Sequence, residues 1–226
     1  MKRNKLNQIK IIAFILLAFL LFFIESISTV NASNDEIVVE IETESRQIID
    51  EPNIYEIKQK EFLHKEKEIL SIQDHKEYYL EYKKLVEEYS EWVDQPTTIY
   101  QCYKKEEIDL LHKVVEAEAT AGGFNEKLNV ACVIFNRIKH EKFGETLEDI
   151  LTKRQFSPLA DGRVYEVEIT EDTILACEYA FQMPDVTGGA IYFESKDCNV
   201  HAAYSEFLFQ DDIGHKFYKE VTTDGE

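Results

Sequence analysis

Two carboxylates, Glu116 and Glu118, stand in the stretch Leu110-Leu111-His112-Lys113-Val114-Val115-Glu116-Ala117-Glu118-Ala119. A helix turns about 100° per residue, so these two side chains point about 200° apart and cannot share one face. Their positions differ in kind. Glu118 follows Leu111, Val114 and Val115 at helical spacing and so continues an apolar stripe. Glu116 follows His112 and Lys113 on a polar face, where an ordinary solvated charge accounts for it. A carboxyl on the apolar stripe is partly desolvated, which disfavours its anion and holds the proton near neutrality. A protonated carboxyl at the rim of a cleft is the group that glycosidic cleavage requires, because the leaving oxygen must take up a proton. The alternative is that Glu118 pairs with Arg137 or another base and ties helices together. Periodicity alone leaves both open.

The elements that must hold this group can be read from the same rhythm. A helix is expected from Glu106 to about Ala121, stopped at Gly122-Gly123. Asn125 can cap a second, from Glu126 to about His140, with Leu128, Ala131, Cys132, Phe135 and Ile138 repeating at three and four. A short helix near Leu147 to Leu151 precedes the loop Gln155-Phe156-Ser157-Pro158. Thr170 opens a helix through Phe181 that Pro184 ends. The runs Ala190 to Phe193 and Gly214 to Tyr218 read as two short strands. Ahead of this region, residues 54–93 carry apolar residues at helical spacing with no glycine or proline among them, and predict one long amphipathic helix. It either packs on a partner, a second copy included, or forms a solvated spacer. Pro96 then marks a domain boundary.

The N-terminus is basic and acid-free over Met1 to Lys10, apolar from Ile11 to Ile24, and closes on Val30-Asn31-Ala32. That pattern is expected of a secretory signal peptide over 1–32, or of a membrane anchor if it stays uncut. Residues 33–100 then divide into an acidic tether and the long helix, and 105–221 form the working domain. With 44 acidic and 25 basic residues the chain carries a net charge of −19. No long basic cluster follows residue 32, which makes nucleic acid and anionic lipid poor candidates for partners and leaves the membrane to an uncut N-terminal segment. Four cysteines fit no zinc spacing. Cys132 and Cys177 read as buried thiols, and Cys102 with Cys198 is the one pair to test for a bridge.

Several fragments occur together in order: Leu111-x-x-Val114-Val115-x-Ala117-Glu118-Ala119, Val130-Ala131-x-Val133-Ile134-x-Asn136-Arg137, Phe156-Ser157-Pro158 with Gly162, Thr187-Gly188-Gly189-Ala190-x-Tyr192-Phe193, and Ile213-Gly214-x-x-Phe217-Tyr218. Over about residues 108–220 the chain resembles the catalytic domain of the spore cortex-lytic enzyme and cell-wall hydrolase family. The resemblance implies an α+β, mainly helical domain related in shape to lysozymes and lytic transglycosylases, with a short β-hairpin. It implies peptidoglycan of the wall or spore cortex as substrate, an extracytoplasmic place of work, Glu118 as the catalytic acid, and neither metal nor organic cofactor. Phe156 and Ser157 would line the sugar site, Tyr192, Phe193 and Tyr218 would stack on sugar faces or pack in the core, and His215 would lie beside the cleft. Family members often carry Arg-Gly-Glu after the Glu-Ala pair, where this chain has Thr120-Ala121-Gly122-Gly123. Asp161 and Glu116 are the candidates for a second carboxylate if the bond is hydrolysed. Two other readings stand beside this one. His201, Asp211, Asp212 and His215 could hold zinc for a peptidoglycan amidase, although they lack a compact ligand pair. Alternatively, the domain is a wall-binding module without catalysis.

Overall fold

The computed structural model describes residues 53–221. The expected signal peptide or anchor and the acidic tether lie outside the described residues. Among the described residues no helix is long and apolar enough to cross a membrane.

Residues 54–93 form two helices, α1 (Ile54–Ile69) and α2 (His75–Glu88), and not the single long one that periodicity predicts. Asp74 makes the break. Its side chain accepts from the Glu77 backbone N–H at 2.8 Å and caps a new helix. The helices fold back on each other, with the rings of Phe62 and Tyr89 edge to face at 5.8 Å and Lys65 Nζ 2.6 Å from Glu88. Nor does α2 stand free as a spacer. Tyr79 lies in the main core and its hydroxyl donates to Gln182 Oε1 at 2.6 Å. Lys76 pairs with Asp172 at 2.6 Å, and Lys83 with Glu178 at 2.7 Å. α2 is thus covered within the chain, whereas α1 has no buried residue and its Leu63 stays exposed.

A short helix α3 (Ile99–Cys102) leads into α4 (Lys105–Glu118), α5 (Phe124–Ile138), α6 (Leu147–Ile150), α7 (Ser157–Asp161) and α8 (Glu171–Gln182). α5 is apolar nearly all round, and it is accordingly the buried axis of the domain. α4 and α8 lie against it, joining Leu111, Val114 and Val115 to Leu128, Ile134 and Cys177 in one core. α4 ends at Glu118, a turn earlier than the glycine pair suggests. Gly123 takes the capping place expected of Asn125, its N–H donating to Glu126 Oε2 at 2.8 Å. The loop at Gln155 to Pro158 turns helical from Ser157 onward, with Pro158 in the first turn, where its missing N–H costs nothing.

The expected hairpin is a three-stranded antiparallel sheet of β1 (Tyr192–Glu194), β2 (Ser205–Gln210) and β3 (Lys216–Glu220), in the order β1-β3-β2. Tyr192 pairs with Tyr218 and Phe193 with Phe217. β2 escapes a pattern reading because a register shift between Phe207 and Phe209 breaks the alternation. Phe217 anchors one sheet face on Val133 and Ala190. The result is a mainly helical α+β domain with a small sheet, as expected. All four cysteines are free: Cys132 and Cys177 are buried, Cys102 and Cys198 exposed and unbridged.

Candidate active site

Glu118 is the last residue of α4. The stripe beneath it, Leu111, Val114 and Val115, is fully buried, and Glu118 emerges half-buried where the helix stops. Burial pushes its carboxyl above the ordinary value of 4.5, against the opposing pull of Arg163, His215 and Arg137 and with a small assist from Asp161. The carbonyl end of the helix disfavours an anion there as well. No hydrogen bond or ion pair within the described residues holds the side chain. Arg137 does not lock it.

Arg137 is instead a wall. It is 4% exposed, its Nε donates to the Ile191 carbonyl at 2.7 Å, and its guanidinium lies 5.2 Å from the ring centres of both Phe143 and Phe156. Burial lowers its pKa to about 10, and its Nη1 has no acceptor among the described residues. Next to it, Asn136 Nδ2 donates to the Ala190 carbonyl at 3.0 Å and fixes the approach to β1.

Around this wall the structure gathers Phe156, Phe193 and His215. Phe193 is 6.4 Å from Phe156 and 5.5 Å from His215, centre to centre. His215 is set by the β2–β3 turn: its N–H donates to Asp211 Oδ1 at 2.7 Å, and its Nδ1 lies 3.4 Å from Asp211 Oδ2. Gly214 makes that turn at φ 94°, a left-handed conformation suited to glycine. Phe156 is 1% exposed with Arg137 over its ring, so it supports the wall and offers no face to a sugar. Ser157 Oγ accepts from Arg163 Nη2 at 2.9 Å.

Tyr192 and Tyr218 are directed elsewhere. Successive strand residues face opposite sides, so they occupy the sheet face away from Phe193 and Phe217. Tyr218 is 2% exposed and its hydroxyl donates to Glu194 Oε1 at 2.9 Å, which removes it as a stacking platform. Tyr192 stacks on His201 with ring centres 4.7 Å apart. The zinc candidates are separated by the same alternation. His201 lies on the Tyr192 face and His215 on the Phe193 face. Among the described residues no group of three or more His, Cys, Asp or Glu side chains is arranged to hold a metal ion.

The largest correction concerns Glu116. Far from being solvated, it is 3% exposed and faces Lys127, equally buried, at 3.0 Å. It also accepts from the Thr170 N–H at 3.1 Å, from Thr170 Oγ1 at 2.8 Å and from Thr173 Oγ1. Burial alone would raise its pKa, but these donors together hold it below the ordinary carboxylate value. Glu116 therefore joins α4, α5 and the start of α8, and is closed to substrate. Asp161, the other candidate second carboxylate, is exposed and paired with Arg163 Nε at 2.9 Å. Arg163 itself went unmarked by helical periodicity. Its only signal is the sequence Asp161-Gly162-Arg163, where Gly162 at φ 91° turns the chain so that acid and base meet.

The family described as Cell Wall Hydrolase matches residues 122–218, a span that begins beyond Glu118. Two solved structures are similar to this chain. One is the catalytic domain of the germination-specific lytic transglycosylase SleB from Bacillus anthracis, at 26% identity over 52% of this chain and 97% of that one, with a TM-score of 0.46. The other is the catalytic domain of the Bacillus cereus SleB protein, at 27% identity over 52% of this chain and 92% of that one, with a TM-score of 0.45. No curated protein matches.

Proposed function

We propose that the cell wall hydrolase domain identified over residues 122–218 works, with Glu118 at its edge, as an extracytoplasmic enzyme that cuts the glycan strands of peptidoglycan. The bond is the one from N-acetylmuramic acid to N-acetylglucosamine. The observation that carries this reading is Glu118 itself: a half-buried carboxyl whose desolvation favours the protonated form, at the end of a helix and without an ion pair among the described residues. Glu118 donates its proton to the glycosidic oxygen as the C1–O bond breaks.

What completes the reaction depends on a second base. Hydrolysis by a pair of carboxylates needs a partner for Glu118. Glu116 is sealed against Lys127, and Asp161 is tied to Arg163 with its carboxyl held below the usual range by that neighbour's hydrogen bonds. One working carboxyl favours the lytic route. The Glu118 carboxylate takes the proton of the muramic 6-hydroxyl, whose oxygen closes on C1 to give a 1,6-anhydro end, and no water is consumed.

Mass spectrometry of fragments released from purified sacculi tests this directly. The expected product ends are lighter by one water than those of hydrolysis. Muropeptides with ordinary reducing ends would replace the lytic route by hydrolysis. Free stem peptides would point to an amidase, and binding without release to a non-catalytic module.

A further inference from the structure

The carboxyl end of α4 has a second feature besides Glu118. The last carbonyls of a helix lack partners within it, and that of Ala117, the residue before Glu118, is met from outside by Arg163 Nη1 at 3.2 Å. The same guanidinium donates through Nη2 to Ser157 Oγ at 2.9 Å and through Nε to Asp161 Oδ2 at 2.9 Å, while its backbone N–H donates to Asp161 Oδ1 at 3.1 Å. A flexible surface arginine is thereby held in one place by three neighbours, and that place is the helix end that carries Glu118. Both members of the pair remain about half exposed, with side-chain exposures of 48% and 47%.

We propose that the Asp161–Arg163 pair is a charge trim on Glu118, with Arg163 as a positioning residue that draws the carboxyl toward its anion and Asp161 as its counterweight. This rests on the reading of Glu118 as the acid. A group that first gives a proton and then takes one back works best when neither form is strongly preferred. Burial and the helix end favour the acid form of Glu118. Arg163 on the 3₁₀ turn (Arg163–Tyr165), Arg137 on α5 and His215 on the β2–β3 turn oppose that preference, and Asp161 on α7 supports it. Arg137 is fixed in the wall and His215 in its turn. The exposed pair is the part whose two charges act in opposite senses from adjacent positions.

The rate of sacculus clearing against pH reads this out. Its alkaline limb reports loss of the proton from Glu118. In Arg163→Gln the limb is expected to move to higher pH, because the charge favouring the anion is gone. In Asp161→Asn it is expected to move to lower pH, because Arg163 then acts unopposed. The double variant should fall between them, Arg163→Lys should stay nearer the parent than Arg163→Gln, and added salt should shrink both displacements. A purely structural role for the pair would lower rates in both variants and leave the limb in place. Limbs that stay put, or that move the same way in both, overturn the proposal. If Arg163→Gln does not fold, Asp161→Asn, which removes the charge and keeps an oxygen able to accept from Arg163, still decides by the direction of its limb. Glu118→Gln separates the two levels. If it remains active, the acid assignment fails; if it is dead while the limbs of the Asp161 and Arg163 variants do not move, only the trim fails.

Discussion

Glu118→Gln is expected to lose cleavage of purified sacculi by about 10²- to 10⁴-fold or more while keeping the fold. Glutamine fills the same space and cannot donate a proton to a leaving oxygen. The structure gives little reason for a stability loss, because among the described residues the Glu118 side chain has no hydrogen bond or ion pair to forfeit. Replacing a desolvated acid by a neutral amide removes a mild burden, so the melting temperature should stay level or rise. Sacculus clearing and thermal melting on the same preparation check both halves. A variant that melts like the parent and clears like it would remove Glu118 from the chemistry.

Lys127→Met is expected to do the opposite: a large loss of stability that has nothing to do with substrate. Glu116 and Lys127 are each 3% exposed, and methionine would leave the carboxylate buried without its counter-charge. Breaking a buried pair from one side costs about 3–5 kcal/mol, which in a domain of this size lowers the melting temperature by roughly 10 °C. Adding Glu116→Gln should recover part of the loss, since the stranded charge disappears. The same site has a pH signature. The folded-state pKa of Glu116 is depressed by its donors, which outweigh its burial. Its contribution to stability is thus complete above the unfolded value of about 4.3 and falls away as the pH drops toward and through the folded one. Thermal melts across the acid range should show this slope in the parent and lose it in the double variant. A Lys127→Met chain that melts at the parent temperature would contradict the arrangement.

These two glutamates show what a sequence of this kind discloses and what it hides. Glu118 is legible because its place depends on local spacing: Leu111, Val114 and Val115 announce a buried stripe, and the stripe carries Glu118 to the helix end. Glu116 is not, because its environment is assembled from afar. Lys127 arrives on α5, and Thr170 and Thr173 arrive with the start of α8. Nothing within a helical turn of Glu116 foretells them, and beside His112 and Lys113 it passes for a surface charge. His112 is buried too, at 6% exposure, so the apparent polar face of α4 is largely an interior one.

The same contrast runs through the elements. α5 and α8 show their apolar rhythm openly, and α8 its cap at Thr170, while the cap of α5 falls at Gly123 and not at Asn125. The break between α1 and α2 rests on one aspartate in a stretch without glycine or proline, so periodicity passes over it. β2 is concealed by its bulge, and Tyr218 by the fact that a strand aromatic looks alike whether it faces a cleft or a buried glutamate. Its hydroxyl on Glu194 decides the matter. Arg163 is hidden for a further reason: its importance lies in reaching the Ala117 carbonyl across a loop, and only the glycine turn before it hints at a fixed direction.

Cleavage by this route requires that Glu118 keep its proton where an ordinary carboxylate would have lost it, and give that proton to the leaving oxygen. A carbon-detected NMR titration, with the Glu118 carboxyl assigned by comparison with Glu118→Gln, measures this at the group itself. The expected midpoint lies above the ordinary 4.5 and tracks the alkaline limb of sacculus clearing. A midpoint at or below that value, or one unrelated to the limb, would contradict it.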